Sequence, residues 1–295
     1  MKKQFCLKQI KNNFPDLKFK KSEIIDYGWN KTVIVLDKKI VFTFPKNKEA
    51  RSKFIVELEI LPKLSKKITL PIPNFDFIPV DKSFAGYNYV SGEPLTIKDF
   101  KELNPSQQNK IAKQVAEFLN ELHNFSLTKA KKAGVSMAWS EKEVRNYYTE
   151  QAETVYKKLS SSDKKLLKNI FENYCNGKIK TDFNKVVVHQ DLTSDHILFN
   201  ENTKKVCGII DFGDIQISDP AVDFSKLWEY SEKFVDKVLA GYHSNDKQLK
   251  FRSYRWYIYQ CIGNMYCGIT MKRKDYWQKG YGLLKLAKKM NEKVC

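Results

Sequence analysis

Three short polar clusters stand at the ends of apolar runs. His189-Gln190-Asp191 follows Val186-Val187-Val188, His196 precedes Ile197-Leu198-Phe199, and Asp211-Phe212-Gly213-Asp214 follows Val206-Cys207-Gly208-Ile209-Ile210. Asp191 and Asp211 are 20 residues apart. The apolar runs between them read as a β-hairpin, which would return both carboxylates to one end of a sheet. There, one carboxylate can align a hydroxyl nucleophile while the other holds Mg²⁺ on a triphosphate. Phosphoryl transfer needs that pairing, because its loose transition state is stabilised mainly by positioning and by cations. Each cluster alone is a weak three-letter pattern; order, spacing and placement at strand ends make the joint signal strong.

The elements that must position these residues fall into two groups. Thr32–Leu36 and Ile40–Phe44 are β-branched and aromatic runs joined by Asp37-Lys38-Lys39, a hairpin. Residues 51–61 then place Phe54, Leu58 and Leu61 on one helical face, a pattern that Pro62 is expected to end. Pro71-Ile72-Pro73 must be extended, Phe84 to Val90 reads as another strand, and Ser91-Gly92-Glu93-Pro94 reads as a hinge or linker. Beyond it the pattern is mostly helical. Asn104 is an N-cap with Pro105 at the first helical position, and Ile111, Val115, Phe118 and Leu122 form a core stripe to about His123. Residues 138–175 hold one or two amphipathic helices and 224–292 several more, with the short β-rich island between them.

The chain has 295 residues and a formal charge of +18, from 52 Lys and Arg against 34 Asp and Glu. That size suits one large domain or two modest lobes. The charge favours an anionic partner, yet only five of the basic residues are Arg, the side chain on which specific phosphate and base recognition leans. With no aromatic-interleaved basic motif and no zinc-finger spacing, a nucleic-acid partner is not expected. The six cysteines are scattered without a C-x-x-C pair, the N-terminus lacks the apolar stretch of a signal peptide, and no run is long and apolar enough to span a membrane. A reduced cytoplasmic protein with no membrane partner is the expectation. The charge is unevenly spread. His189 to Tyr230 holds eight acids and three bases, which leaves that segment at −5 and the rest of the chain at +23.

The run Val188-His189-Gln190-Asp191-Leu192-Thr193-Ser194-Asp195-His196-Ile197-Leu198-Phe199, then Gly208-Ile209-Ile210-Asp211-Phe212-Gly213-Asp214 and Ser218-Asp219-Pro220-Ala221-Val222-Asp223-Phe224, resembles the kinase-like superfamily. It is most similar to the 2''-phosphotransferase branch of the aminoglycoside phosphotransferases, where His replaces the usual Asn five residues after the catalytic Asp; here that residue is His196. The resemblance implies an α+β, protein-kinase-like two-lobed fold, with a small antiparallel β-sheet N-lobe and a mainly helical C-lobe. It implies a nucleotide-binding lobe over residues 1–91 with a hinge near 87–92, and a C-terminal lobe over 92–295. That lobe divides into a catalytic core (about 92–137 and 181–230) and a helical substrate-binding part (about 138–180 and 231–295).

Carried over by position, Asp191 matches the catalytic Asp, and His196 and Asp211 match the metal ligands. The nucleotide side includes Gly28 in a reduced Gly-rich loop, Glu57 on the helix that normally pairs with a strand lysine, and Tyr87-Asn88-Tyr89-Val90 on the interlobe strand, with Tyr87 at the gatekeeper position. The expected strand lysine is absent: Thr43 stands there, and Lys46 is the cation three residues on. On the acceptor side are Asp191, Ser194, Glu229, and Tyr276 or Trp277 in a shifted Asp-Trp element, with Tyr230 where a second acid is often found. His189, Asp219 and Asp223 are expected to be structural, and Asp195 and Asp214 are open between capping and contact. The resemblance implies an aminoglycoside 2''-O-phosphotransferase that uses Mg²⁺ and GTP, or ATP, on a 4,6-disubstituted drug. It would act as a monomer and confer antibiotic resistance. A kinase of another hydroxylated amine, such as choline or a ketoamine sugar, and a weakly active or pseudokinase nucleotide-binding protein are the alternatives.

Overall fold

The computed structural model describes residues 2–26, 30–175 and 183–291. The N-terminal elements are α1 (Lys3–Asn13), β1 (Ser22–Ile25), β2 (Lys31–Leu36), β3 (Ile40–Pro45), α2 (Lys48–Leu64), β4 (Phe75–Phe77) and β5 (Ala85–Asn88). The strands form one antiparallel sheet in the order β1-β2-β3-β5-β4. The predicted hairpin is β2–β3, with Val33 opposite Thr43 and Lys31 opposite Pro45. Asp37 and Lys38 both take positive φ in its three-residue turn, Asp37–Lys39, with Leu36 and Ile40 closing the ladder. Period-2 alternation gives the sheet two different faces. Ile34, Leu36, Phe42 and Phe44 pack with Phe84 against Cys6 and Ile10 of α1, an element the sequence reading did not anticipate. Lys31, Val33, Thr43 and Tyr87 lie on the opposite face, because directly paired residues share a side.

Helix α2 begins at an Asn47 cap and runs through Pro62 to Leu64 rather than ending before the proline. A proline in the last turn forfeits one amide hydrogen bond, and Ser65 N–H to Leu61 O and Ile68 N–H to Leu64 O keep the chain helical past it. The Ser91–Pro94 segment is also more ordered than a linker: β6 (Glu93–Pro94) pairs with Phe199 and Leu198. Gly92 has φ 133°, and a Cβ there would lie 2.3 Å from Cys207 Sγ, so only glycine fits the turn.

The helical part comprises α3 (Ile97–Glu102), α4 (Pro105–His123), α5 (Leu127–Lys132), α6 (Glu141–Tyr156) and α7 (Ser161–Cys175). After the strands β7 (Val186–Val188), β8 (Ile197–Asn200), β9 (Lys205–Ile209) and β10 (Gln216–Ser218) come α8 (Ala221–Ser225), a 3₁₀ turn (Lys226–Glu229), α9 (Glu232–Gly241), α10 (Leu249–Thr270) and α11 (Lys274–Asn291). Helix α4 carries the capping box Asn104–Gln107 and buries Ile111, Val115, Phe118 and Leu122 as its periodicity requires. Strands β8 and β9 form the hairpin expected between the two carboxylates, and β7 pairs with the short β10. The fold is therefore α+β and kinase-like, a small antiparallel sheet followed by a mainly helical body. Among the described residues no helix is long and apolar enough to cross a membrane.

Candidate active site

The loop from β7 to β8 carries Asp191 and His196, and the loop after β9 carries Asp211. The hairpin between them brings the three together. His196 Nδ1 lies 3.5 Å from Asp191 Oδ2, and His196 Nε2 lies 3.7 Å from Asp211 Oδ2. His196 Nδ1 also donates to the Asp191 carbonyl oxygen at 2.7 Å, so in the neutral ring the lone pair lies on Nε2, the atom that faces Asp211. That tautomer is the one a metal ligand requires. No cluster of three or more His, Cys, Asp and Glu forms among the described residues. Asp211 supplies a carboxylate of the kind Mg²⁺ takes together with phosphate and water oxygens, and His196 Nε2 stands beside it as a nitrogen donor.

Backbone geometry holds this arrangement open. Gln190 and Asp211 both adopt positive φ, at 71° and 63°. The strained Gln190 is fixed by Asp223, which is fully buried and accepts hydrogen bonds from His189 N–H (2.9 Å) and Gln190 N–H (2.7 Å). His123 Nε2 adds a third bond to Asp223 at 3.0 Å. His189 donates from Nε2 to the Ile210 carbonyl and accepts the Asp191 N–H at Nδ1, bridging the two loops. Its role is structural, and burial holds its imidazole below the ordinary range. Asp219 anchors elsewhere: with Asp246 it grips the buried Arg252 of α10 at 2.6–3.1 Å.

Charges converge on the pair of carboxylates. Lys226, from the 3₁₀ turn, places Nζ 3.5 Å from Asp191 Oδ1. Burial alone would raise the Asp191 carboxyl, but Lys226, His196 and His189 outweigh it and hold it below its ordinary value. Lys31 Nζ sits 3.3 Å from Asp211 Oδ1 and 2.6 and 2.8 Å from the two Glu57 oxygens. The Lys31 ammonium holds the Asp211 carboxyl well below the usual carboxylate range. Burial works against the ammonium itself, yet Glu57 and Asp211 more than reverse it, so Lys31 stays charged. Gly213 leaves room for this trio: a Cβ there would meet Lys31 Nζ at 3.1 Å, Asp211 Oδ1 at 3.3 Å and Glu57 Oε1 at 3.4 Å.

Lys31 and Lys226 are the charged residues that sequence reasoning missed. Neither lies in a motif, and each reaches the site through strand register or a helical turn. Neither Thr43 nor Lys46, the positions the sequence offers, is the partner of Glu57. Thr43 is buried with its hydroxyl oxygen unpartnered, and Lys46 pairs instead with Asp26 at 2.9 Å. Asp214, read as a cap or a contact, bonds Lys53 of α2 at 2.9 Å, while Asp195 is exposed.

The remaining candidates are more dispersed. Tyr87 is half-buried on β5, packed edge-on against Phe75 at 5.5 Å, and it feels the Lys31 and Asp211 charges. The Asn88 side chain donates to Asp76, the Tyr89 N–H is taken by the Lys39 carbonyl, and Val90 packs where Gly208 leaves space. Gly28 lies outside the described residues. Ser194 is half-buried in the β7–β8 loop. Glu229 is buried on the Lys226 turn and accepts from Gln260 Nε2 at 2.8 Å, while Gln260 Oε1 is buried without a partner. Tyr230 is a core residue, its hydroxyl donating to the Leu95 carbonyl between Phe100 and Phe234. Tyr276 and Trp277 are half-buried at the α10–α11 corner, Tyr276 under Arg273 and Trp277 stacked on Tyr281 and pressed against Gly268.

Comparison with known proteins bears on the family and the fold. The sequence pattern of the family described as "Phosphotransferase enzyme family" matches residues 24–257. The structure is similar to that of the GDP and kanamycin complex of APH(2'')-IIIa, with 28% identity, TM-score 0.84, and coverage of 98% of this chain and 100% of that one. It is similar to the GDP complex of wild-type aminoglycoside 2'-phosphotransferase-IIIa at 28% identity and TM-score 0.87, covering 99% and 100%. The gentamicin–APH(2'')-IIa complex, at 20% identity, TM-score 0.72 and 96% of each chain, shares the fold.

Proposed function

We propose that this chain, which belongs to the phosphotransferase enzyme family, transfers the γ-phosphate of GTP to the 2''-hydroxyl of a 4,6-disubstituted aminoglycoside, with ATP as a second donor. The observation that carries the reading is the Asp191–His196–Asp211 constellation, its carboxylates bridged by one histidine within 3.5 and 3.7 Å. Asp191 orients the acceptor hydroxyl and takes its proton as the oxygen bonds to the γ-phosphorus. In the same loose displacement the bond from that phosphorus to the β,γ-bridging oxygen breaks, and the nucleoside diphosphate leaves. His196 Nε2 and Asp211 would hold Mg²⁺. When bound, the ion neutralises charge on the transferring phosphoryl group.

Several features support the finer parts of the reading. Two neighbours at 28% identity are GDP complexes, and Tyr87 stands at the gatekeeper position, where a bulky ring narrows the space that adenine uses. The catalytic segment is at −5 within a basic chain, which suits a polycationic acceptor. Glu229 and the unpartnered Gln260 carbonyl oxygen leave buried acceptor capacity for ammonium or hydroxyl donors, beside the turn whose Lys226 touches Asp191. The domain division at residue 91 and the monomeric state belong to the same proposal. The test is nucleoside diphosphate release with kanamycin- and gentamicin-type drugs, run with GTP and ATP side by side. Turnover of three-ring 4,6-disubstituted drugs and none of drugs lacking the third ring is expected. Absence of turnover with every drug and both nucleotides would overturn the reading.

A further inference from the structure

We propose that Lys31, on β2, is the cation that binds the inner phosphates of the nucleotide, replacing a lysine that β3 does not supply. The inference rests on the phosphotransferase reading and adds a residue to it. Its basis is strand register. Val33 faces Thr43 across the β2–β3 ladder, and Lys31 lies two residues before Val33, on the same face of the sheet. Diagonal neighbours of this kind sit about 7–8 Å apart, within reach of a long side chain. A lysine on β2 can therefore deliver its ammonium to the space in front of Thr43, and here it does. Lys31 Nζ stands between Glu57 and Asp211, the helix carboxylate and the candidate metal ligand, at 2.6 and 3.3 Å.

Three further observations distinguish this from a surface lysine that happens to fold inward. The Lys31 side chain is only 12% exposed and that of Glu57 4%, so the pair is held in place rather than solvated. Thr43 is buried on the same face with its hydroxyl unpartnered, and it cannot supply charge there. Lys46, just past the end of β3, is committed to Asp26. Glu57 sets the direction of the ammonium, and its remaining hydrogens can meet phosphate oxygens beside Asp211. The acidic pair also explains why the position must be cationic. Without Lys31, Glu57 and Asp211 would present two carboxylates to an incoming triphosphate.

Nucleotide binding tests this without reference to drug turnover. GDP and guanosine affinities are measured by calorimetry for wild type, Lys31→Met, Thr43→Lys and the double variant. Lys31→Met is expected to weaken GDP about 10- to 100-fold, the loss of one charge-assisted hydrogen bond, and to leave guanosine affinity unchanged. Thr43→Lys alone should gain little, because the ammonium position is already filled. Lys31→Met/Thr43→Lys should recover at least about tenfold, by supplying the charge from the adjacent strand. If Lys31→Met fails to fold, the double variant decides: GDP binding near wild type supports the relocation, and none overturns it. The proposal is also overturned by a Lys31→Met protein that binds GDP like wild type, or by one that loses guanosine equally. Wild type that binds no nucleotide would instead sink the phosphotransferase reading itself.

Discussion

The Asp223 carboxylate makes a sharp test of how the Asp191 loop is held. It is fully buried, and its two oxygens accept from the backbone N–H groups of His189 and Gln190 and from the His123 ring. Asp223→Ala leaves three buried donors without a partner. Each such loss is worth about 1–3 kcal/mol, and water entering the vacated space relieves part of it, so about 3–6 kcal/mol of stability should go. Asp223→Asn keeps one accepting oxygen and turns an NH₂ towards a donor, so it should lose about 1–3 kcal/mol. The damage should be local as well as global. Gln190 holds a φ of 71°, and releasing its N–H removes what keeps Asp191 aimed, so kcat should fall further than nucleotide affinity. Guanidinium unfolding followed by circular dichroism gives the stability term, and steady-state phosphorylation gives the rate. An Asp223→Ala protein within about 1 kcal/mol of wild type and with unchanged kcat would refute the anchoring role.

Other outcomes follow from the same contacts. Asp191→Asn should lower kcat by about 10²–10⁴ while GDP affinity stays near wild type, as competition with a fluorescent nucleotide would report. Arg252→Met strips the buried Asp219 of its close ion pair, leaving only the Arg255 guanidinium at 3.9 Å, and should destabilise the fold by about 3–5 kcal/mol in denaturant unfolding. Burial raises the Asp246 carboxyl, but its bonds to Arg252 and the Gln248 N–H outweigh this and hold it below the usual range. A depressed carboxyl stabilises above its unfolded pKa and loses that contribution as pH falls through the folded value. The wild-type advantage over Arg252→Met should therefore shrink below about pH 4, read from urea unfolding across that range. Burial pushes the Cys175 thiol up to about 12, so iodoacetamide should label it in the native protein far more slowly than after unfolding.

The candidate site was legible where its residues are contiguous with the strands that carry them. The runs that follow His196 and end at Asp211 announce their own hairpin, β8–β9, and Asp191 closes the run before it. The β2–β3 ladder and the Asn104 cap were equally local, each settled by a few neighbouring residues. What the chain order concealed are partnerships made across it. Lys31 reaches Glu57 and Asp211 only because β2 and β3 pair in one register, and a one-residue slip would send its side chain to the α1 face. Asp223 holds a loop 34 residues upstream, so it acts on the catalytic loop rather than only on its own turn. Lys226 touches Asp191 because a 3₁₀ turn follows α8, a feature too short to show periodicity. Glu229 matched an acidic position by sequence, but helix packing buries it against Gln260. Pro62 misled because a proline signals a helix end without fixing where in the last turn it falls.

The central claim concerns which oxygen receives the phosphate, and mapping the product tests it most directly. Wild-type protein with Mg²⁺ and GTP is incubated with kanamycin, and the purified product is analysed by ³¹P–¹H correlation NMR. The account predicts a single phosphate on the 2''-oxygen of the third ring, with GDP formed in equal amount. Phosphate on any other oxygen, or nucleotide hydrolysis with the drug unmodified, would contradict it.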